Sequence, residues 1–187
     1  MNFGELKSIW REWTHRDNIS DAVLSTVEDL LRTRLGRDLR ADSNQVTATL
    51  TDAGDGIDLS ADIKEIRMVE QGRYGQLAYI IPNYWEEYKR NSGYYTIKND
   101  KLFIGKGGQV SVTYFVTPDN LVNDVDTNDT LTQWPSLYLY GGISEIYRYT
   151  QENESMTFYN DQYQVELARV NEQAQRKRIG DSPAIGY

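Results

Sequence analysis

The sequence predicts an α+β fold: a helical bundle built from N-terminal and C-terminal helices, with a central antiparallel β insertion and an extended C-terminal tail. Three observations carry this reading. Apolar residues recur at three- and four-residue intervals before residue 44 and after residue 134. They alternate with polar residues between positions 45 and 116. A stretch rich in Asp and Asn separates the alternating region from the second helical one. The expected boundaries are a helical domain of residues 1–44 and 117–176, a β subdomain of residues 45–116, and a tail of residues 177–187.

At the N-terminus, Asn2 and Glu5 read as a capping box, and Phe3, Leu6, Ile9 or Trp10, and Trp13 follow at helical spacing. A second helix opens at Ser20 with Asp21 in its first turn. Val23, Val27, Leu30 or Leu31, and Leu35 form its apolar stripe, and Gly36 is expected to end it. Arg32, Arg34, Arg37 and Arg40 gather on its polar face and exit, where positive charge suits the helix dipole. They read as a solvated face or as a landing site for an acidic partner.

In the middle, Val46, Ala48 and Leu50 alternate with Thr47, Thr49 and Thr51. Tyr95 and Ile97, the Asn99-Asp100 turn, residues 101–104, the turn 105–108, and Val110, Val112 and Tyr114 predict at least three strands in a meander. Between strands, Ile81-Pro82-Asn83 with Tyr84, Trp85 and Tyr88 suggests a single helical turn or an irregular aromatic patch. Residues 117–132 are too poor in large apolar residues for a strand or helix and read as a linker.

Helical spacing then resumes, with Pro135 at a first helical position. Leu137, Tyr138, Leu139, Tyr140, Ile143, Ile146, Tyr147 and Tyr149 occupy every side of the wheel. Such a helix is buried on most faces or pressed against another subunit. Gly141 and Gly142 in its middle each cost roughly 1 kcal/mol relative to Ala, which implies another backbone passing close. After a polar break at residues 151–155, Met156, Tyr159, Tyr163, Leu167, Val170 and Ala174 form one stripe of a last helix, which pairs with the preceding one as an antiparallel hairpin. Residues 179–187, with one Pro, two Gly and no periodicity, read as an unpacked tail.

Composition limits the function. The chain has 187 residues, 39% of them hydrophobic, enough for a core, and no window approaches the roughly 18 consecutive apolar residues of a membrane span. Glu5 and Lys7 interrupt the first ten residues, so these lack the order of a secretory signal, and synthesis in the cytoplasm is expected. With no cysteine, disulfides, thiolate nucleophiles and Cys-type zinc sites are excluded. A net charge of -8 argues against a protein that wraps nucleic acid. It suits a wall that DNA slides past, which should repel rather than grip.

Catalytic and metal motifs are weak. Gly105-Lys106-Gly107-Gly108 lacks the Gly-Lys-Ser/Thr order of a phosphate loop and joins two strands, so it reads as a hairpin turn. Asp124, Asp126 and Asn128 match the first ligands of a calcium loop, but Asp129 replaces its glycine and Pro135 its bidentate Glu. Asp52, Asp55 and Asp58 read as turn residues, and His15, the single histidine, stands at a helix exit without a nucleophile beside it. Neither an enzyme nor a cofactor is expected, and a small hydrolase is the weakest alternative. Fourteen Tyr and four Trp stand out: core packing accounts for more than half, and the excess around residues 138–149 suits subunit contacts. Tyr79, Tyr84, Trp85, Tyr94 and Tyr95 leave open a carbohydrate-binding module.

The run Thr127-Asn128, Leu131, then Trp134-Pro135-Ser136-Leu137-Tyr138-Leu139-Tyr140-Gly141, residues 143–149, a polar break and residues 159–176 resembles the C-terminal signature of short-tailed-phage head-to-tail adaptor proteins. In that family a helical segment like residues 20–35 precedes a β insertion ending in a strand like residues 110–116, so the resemblance covers nearly the whole chain. It implies a structural virion protein, made in the bacterial host cytoplasm. Twelve copies would form a ring between the portal protein and the tail hub, nozzle or fibre proteins, and DNA would pass through without sequence-specific binding. It also implies a portal-docking C-terminal tail, here Arg176, Lys177, Arg178, Ile179, Ile185 and Tyr187, and a subunit-packing helix, here Leu137, Tyr138, Tyr140, Ile143 and Tyr147. Another ring-forming tail-completion or stopper protein is the alternative.

Overall fold

A computed structural model gives the fold and describes residues 1–59 and 63–180, with side chains as far as Arg176. In chain order the helices are α1 (Phe3–Thr14), α2 (Asp21–Asp38), α3 (Trp85–Tyr88), α4 (Asp129–Gln133), α5 (Pro135–Tyr149) and α6 (Asn153–Gly180). The strands are β1 (Gln45–Asp52), β2 (Ile57–Asp58), β3 (Glu65–Gln71), β4 (Gly75–Gln76), β5 (Ala78–Tyr79), β6 (Tyr94–Lys98), β7 (Lys101–Ile104) and β8 (Gly108–Phe115). The fold is α+β. Met1–Asn44 and the chain from Thr117 onward make one compact unit, and Gln45–Val116 makes another.

The helical unit starts with the capping box: Asn2 Oδ1 accepts from the Glu5 amide, and the Glu5 carboxylate accepts from the Asn2 amide. Phe3, Leu6 and Trp10 of α1 are buried, and His15 ends the helix in the left-handed conformation, φ 54°. Ser20 caps α2, whose core stripe is Leu24, Val27, Leu31 and Leu35; the stripe takes Leu31 rather than Leu30, and Leu24 rather than Val23. The helix does not stop at Gly36. It runs to Asp38, because Gly36 serves close packing: a Cβ there would overlap the Thr117 side chain.

The stretch read as a linker, residues 117–132, also packs. Leu121 and Leu131 are buried, and Asn128 caps α4, its Oδ1 accepting from the Leu131 amide at 2.7 Å. Two leucines and one capping side chain suffice for a helical turn that a count of large apolar residues had ruled out. Only Thr150–Glu152 separate α5 from α6, with Gln151 in the left-handed region, φ 62°. The two helices form the expected antiparallel hairpin, with Ser144 Oγ donating to Met156 O and Tyr147 stacked on Tyr159 at 5.7 Å. At the far end α6 runs on to Gly180, so residues 177–180, assigned from sequence to an extended tail, continue the helix. No helix breaker precedes Gly180.

Among its described residues the β unit holds two four-stranded sheets, ordered β1-β8-β3-β4 and β2-β7-β6-β5. Pairing is antiparallel except between β5 and β6, which run parallel. The β6–β7 hairpin turns through Asn99 and Asp100, both at positive φ (52° and 57°), as a two-residue hairpin demands. The predicted meander stops there. The turn at residues 105–107 sends β8 into the other sheet, where it pairs with β1 and β3. Val69, Leu77, Leu102, Ile104, Val110 and Val112 form the core of this unit. Pro82 opens a short 3-10 turn that leads into α3, as one of the two sequence readings had it.

Candidate interaction surfaces

The helix α5 packs against α1, α2, α4 and α6 of its own chain. Leu137, Tyr138 and Ile143 are fully buried there and Tyr147 nearly so, while Tyr140 is half-buried. Leu137, Tyr138 and Ile143 thus have their apolar surface covered inside the chain, the first of the two readings that their all-round apolar wheel allowed. The reading of the glycines is corrected, because side chains rather than a passing backbone demand them. A Cβ on Gly141 would overlap Leu31, and one on Gly142 would overlap the Trp10 ring. The indole of Trp10 donates to Tyr138 O at 3.1 Å, which holds that ring over Gly142.

One carboxylate organises the α2–α5–α6 junction. Glu145, whose side chain is 1% exposed, receives Arg34 at 2.6 Å and Arg148 at 3.1 Å. Arg34 also donates to Asn160 Oδ1 at 2.8 Å and lies 4.4 Å over the Tyr163 ring, so it is an internal strut and not part of a solvated face. Burial pushes the Tyr163 hydroxyl up to about 12, against the lowering pull of Arg34. Arg37 pairs with Asp38 at 2.7 Å and keeps an exposed side chain. The backbone amide of Arg40 donates to Asn171 Oδ1 at 2.7 Å.

The residues that resembled a calcium loop have other work. Asp126 accepts the amides of Val122 and Asn123, Asp124 takes Lys7 at 2.6 Å, and Asn128 caps α4. Among the described residues no group of three or more His, Asp or Glu is placed to hold a metal. In the β unit, a cavity of about 350 Å³ is bordered by Asp52, Trp85, Lys89, Arg90 and Lys106. The Asp52 carboxylate is occupied by the amides of Gly54, Gly56 and Ile104, which is the turn role its sequence context suggests. The five aromatics of the carbohydrate reading do not make one platform: Trp85 is buried and tilted against Phe103, while Tyr79 meets Tyr95 edge-on.

Sequence reasoning missed what α2, α5 and α6 leave outside. Leu30 is 51% exposed, Tyr149 65%, Phe158 58% and Val165 64%. A groove of about 230 Å³ between α2 and the end of α5 is lined by Val23, Thr26, Leu30, Arg148 and Tyr149. The seven-residue interval between Phe158 and Val165, off the core stripe of α6, was the available signal. Of the expected docking tail, Arg176 is exposed and pairs with Glu172 at 3.3 Å. The side chains of Lys177, Arg178 and Ile179, and the residues Ile185 and Tyr187, lie outside the described residues.

No helix among the described residues is long and apolar enough to cross a membrane. No curated protein matches the chain in sequence. The family model described as SU10 adaptor protein matches residues 1–185, and so takes in both the helical unit and the β unit. Matched over nearly its whole length, the chain belongs to the SU10 adaptor protein family, a family of structural phage adaptors and not of enzymes.

Proposed function

We propose that the protein is a head-to-tail adaptor subunit of the virion, twelve copies of which form a ring between the portal protein and the tail and continue the DNA channel. The family match over residues 1–185 carries this reading. Two features of the chain support it. Exposed Leu30, Tyr149, Phe158 and Val165 offer apolar contacts to neighbours. The net charge of -8 suits a channel wall that does not grip DNA. In this reading the C-terminal end docks on the portal. Arg176, Lys177 and Arg178 meet acidic portal surface, and Ile179, Ile185 and Tyr187 fill portal clefts. Tail hub, nozzle or fibre proteins bind the opposite side of the ring.

Native mass measurement of the protein alone and mixed with its portal tests the proposal. A monomer alone and twelve copies per portal ring in the mixture are expected. Failure to associate with the portal, together with binding to a tail component, would reassign the chain to a tail-completion or stopper role.

A further inference from the structure

We infer that neighbouring copies in the assembly pack α2 of one against α6 of the next, with the two helices parallel, so that Val23 meets Phe158, Leu30 meets Val165, and Arg37 meets Glu172. This rests on the ring reading and supplies the contact that would build the ring.

Two stripes carry the inference. Opposite its core stripe, α6 bears Phe158, Asp161, Val165, Ala168 and Glu172, at successive intervals of three, four, three and four. On its own outer side, α2 bears Val23, Thr26, Leu30, Thr33 and Arg37 at the same intervals. That spacing is the one by which two helices keep a continuous seam. All ten residues are exposed or partly exposed, and Phe158, Val165 and Leu30 are more than half exposed although each helix already has a separate buried stripe. The threonines do not spoil the apolar character of α2. Thr26 Oγ1 donates to Ala22 O and Thr33 Oγ1 to Asp29 O, which leaves their methyl groups for the seam.

Charge sets the partner and the direction. The groove beside Thr26 presents an excess of positive charge outward through Arg148, which is exposed while its partner Glu145 is buried and shared with Arg34. In the parallel register Asp161 of the neighbour stands at the level of Thr26, facing that excess, and Glu172 faces Arg37. An antiparallel register would place Glu172 against Val23 and Arg37 against Phe158, desolvating both charges on apolar surface. The charges involved are not locked at home: Arg37–Asp38 and Glu172–Arg176 are exposed pairs of small worth. The groove of about 230 Å³ is roomy enough for the Phe158 ring, since an apolar cavity of about 150 Å³ holds benzene. The two patches differ, so the contact is heterologous and repeats from copy to copy, as a closed ring requires. Within one chain α2 and α6 meet through other residues, Arg34 with Asn160 and Asp38 with Asn171, so the seam is free for a neighbour.

The absence of cysteine makes the test direct. Leu30→Cys and Val165→Cys are introduced together into the full chain, which is mixed with portal, oxidised, and run on a non-reducing gel beside each single variant. Opposed seam positions bring Cα atoms within disulfide range. A ladder of covalent multimers, present only in the double variant and only with portal, is the expected result. Portal-bound rings of normal mass that do not cross-link would overturn this contact and leave the adaptor reading intact. A chain that forms no multimer with portal would overturn both. As a second readout, Arg37→Glu should lose ring assembly and Glu172→Arg in the same chain should restore it; an Arg37→Glu variant that assembles normally contradicts the pairing.

Discussion

Glu28 is the least comfortable residue of the helical unit. It lies on α2 with no exposed surface, and neither carboxylate oxygen makes a hydrogen bond of good geometry, the Leu121 amide being within reach of only a weak one. Burial pushes its pKa from 4.5 up to about 7, against the opposing pull of Arg32. The folded chain therefore holds a proton that the unfolded chain has released, and folding stability falls as pH rises from about 4.5 to about 7. Glu28→Gln removes the titration. Thermal melts should show the variant more stable than wild type at pH 8 by up to roughly 3 kcal/mol, with the difference shrinking towards pH 5. An unchanged pH profile would show that Glu28 is solvated. Gly142 is a second test at this scale. Alanine there gains about 1 kcal/mol of helix propensity but forces a methyl into the buried Trp10 ring. Overpacking should win, with a net loss of about 1–2 kcal/mol in urea unfolding.

Among the elements, the hairpin of α5 and α6 is tied to α2 by the Arg34–Glu145–Arg148 cluster. Arg34→Met keeps the packing volume but leaves the buried Glu145 carboxylate with Arg148 alone. A loss of roughly 3–5 kcal/mol is expected, and adding Glu145→Leu should recover much of it, since the cost lies in the stranded charge. In the β unit, Asp52 closes the turn after β1 by accepting three backbone amides. Asp52→Ala should destabilise that unit by about 1–3 kcal/mol, with hydrogen exchange accelerating at the Gly54, Gly56 and Ile104 amides and remaining unchanged in α5 and α6. These elements were readable to different degrees. The capping box of α1, the Pro135 start of α5 and the stripe of α6 are local patterns and were legible. The separation of β7 and β8 into two sheets was not, because a turn with three consecutive positive-φ residues, Lys106, Gly107 and Gly108, can continue a hairpin or redirect a strand.

At the scale of the whole molecule, the proposed portal contact belongs to the C-terminal end. Deleting residues 179–187 should abolish co-sedimentation with portal while leaving the melting temperature of the free protein unchanged. Portal binding by the truncated chain would remove the tail from the docking role.

The sequence by itself determined the α+β class, the terminal helices and the resemblance to phage adaptors, because periodicity, caps and turn residues act over a few neighbouring positions. Only the tertiary structure decided which apolar residues are spent inside. Leu137, Tyr138 and Ile143, which looked like surplus for a neighbour, are consumed by α1, α2, α4 and α6. Leu30, Phe158 and Val165, which looked ordinary, are left outside. A wheel of apolar residues states how much surface must be covered. What covers it depends on long-range packing, down to a tryptophan ring lying where Gly142 leaves room.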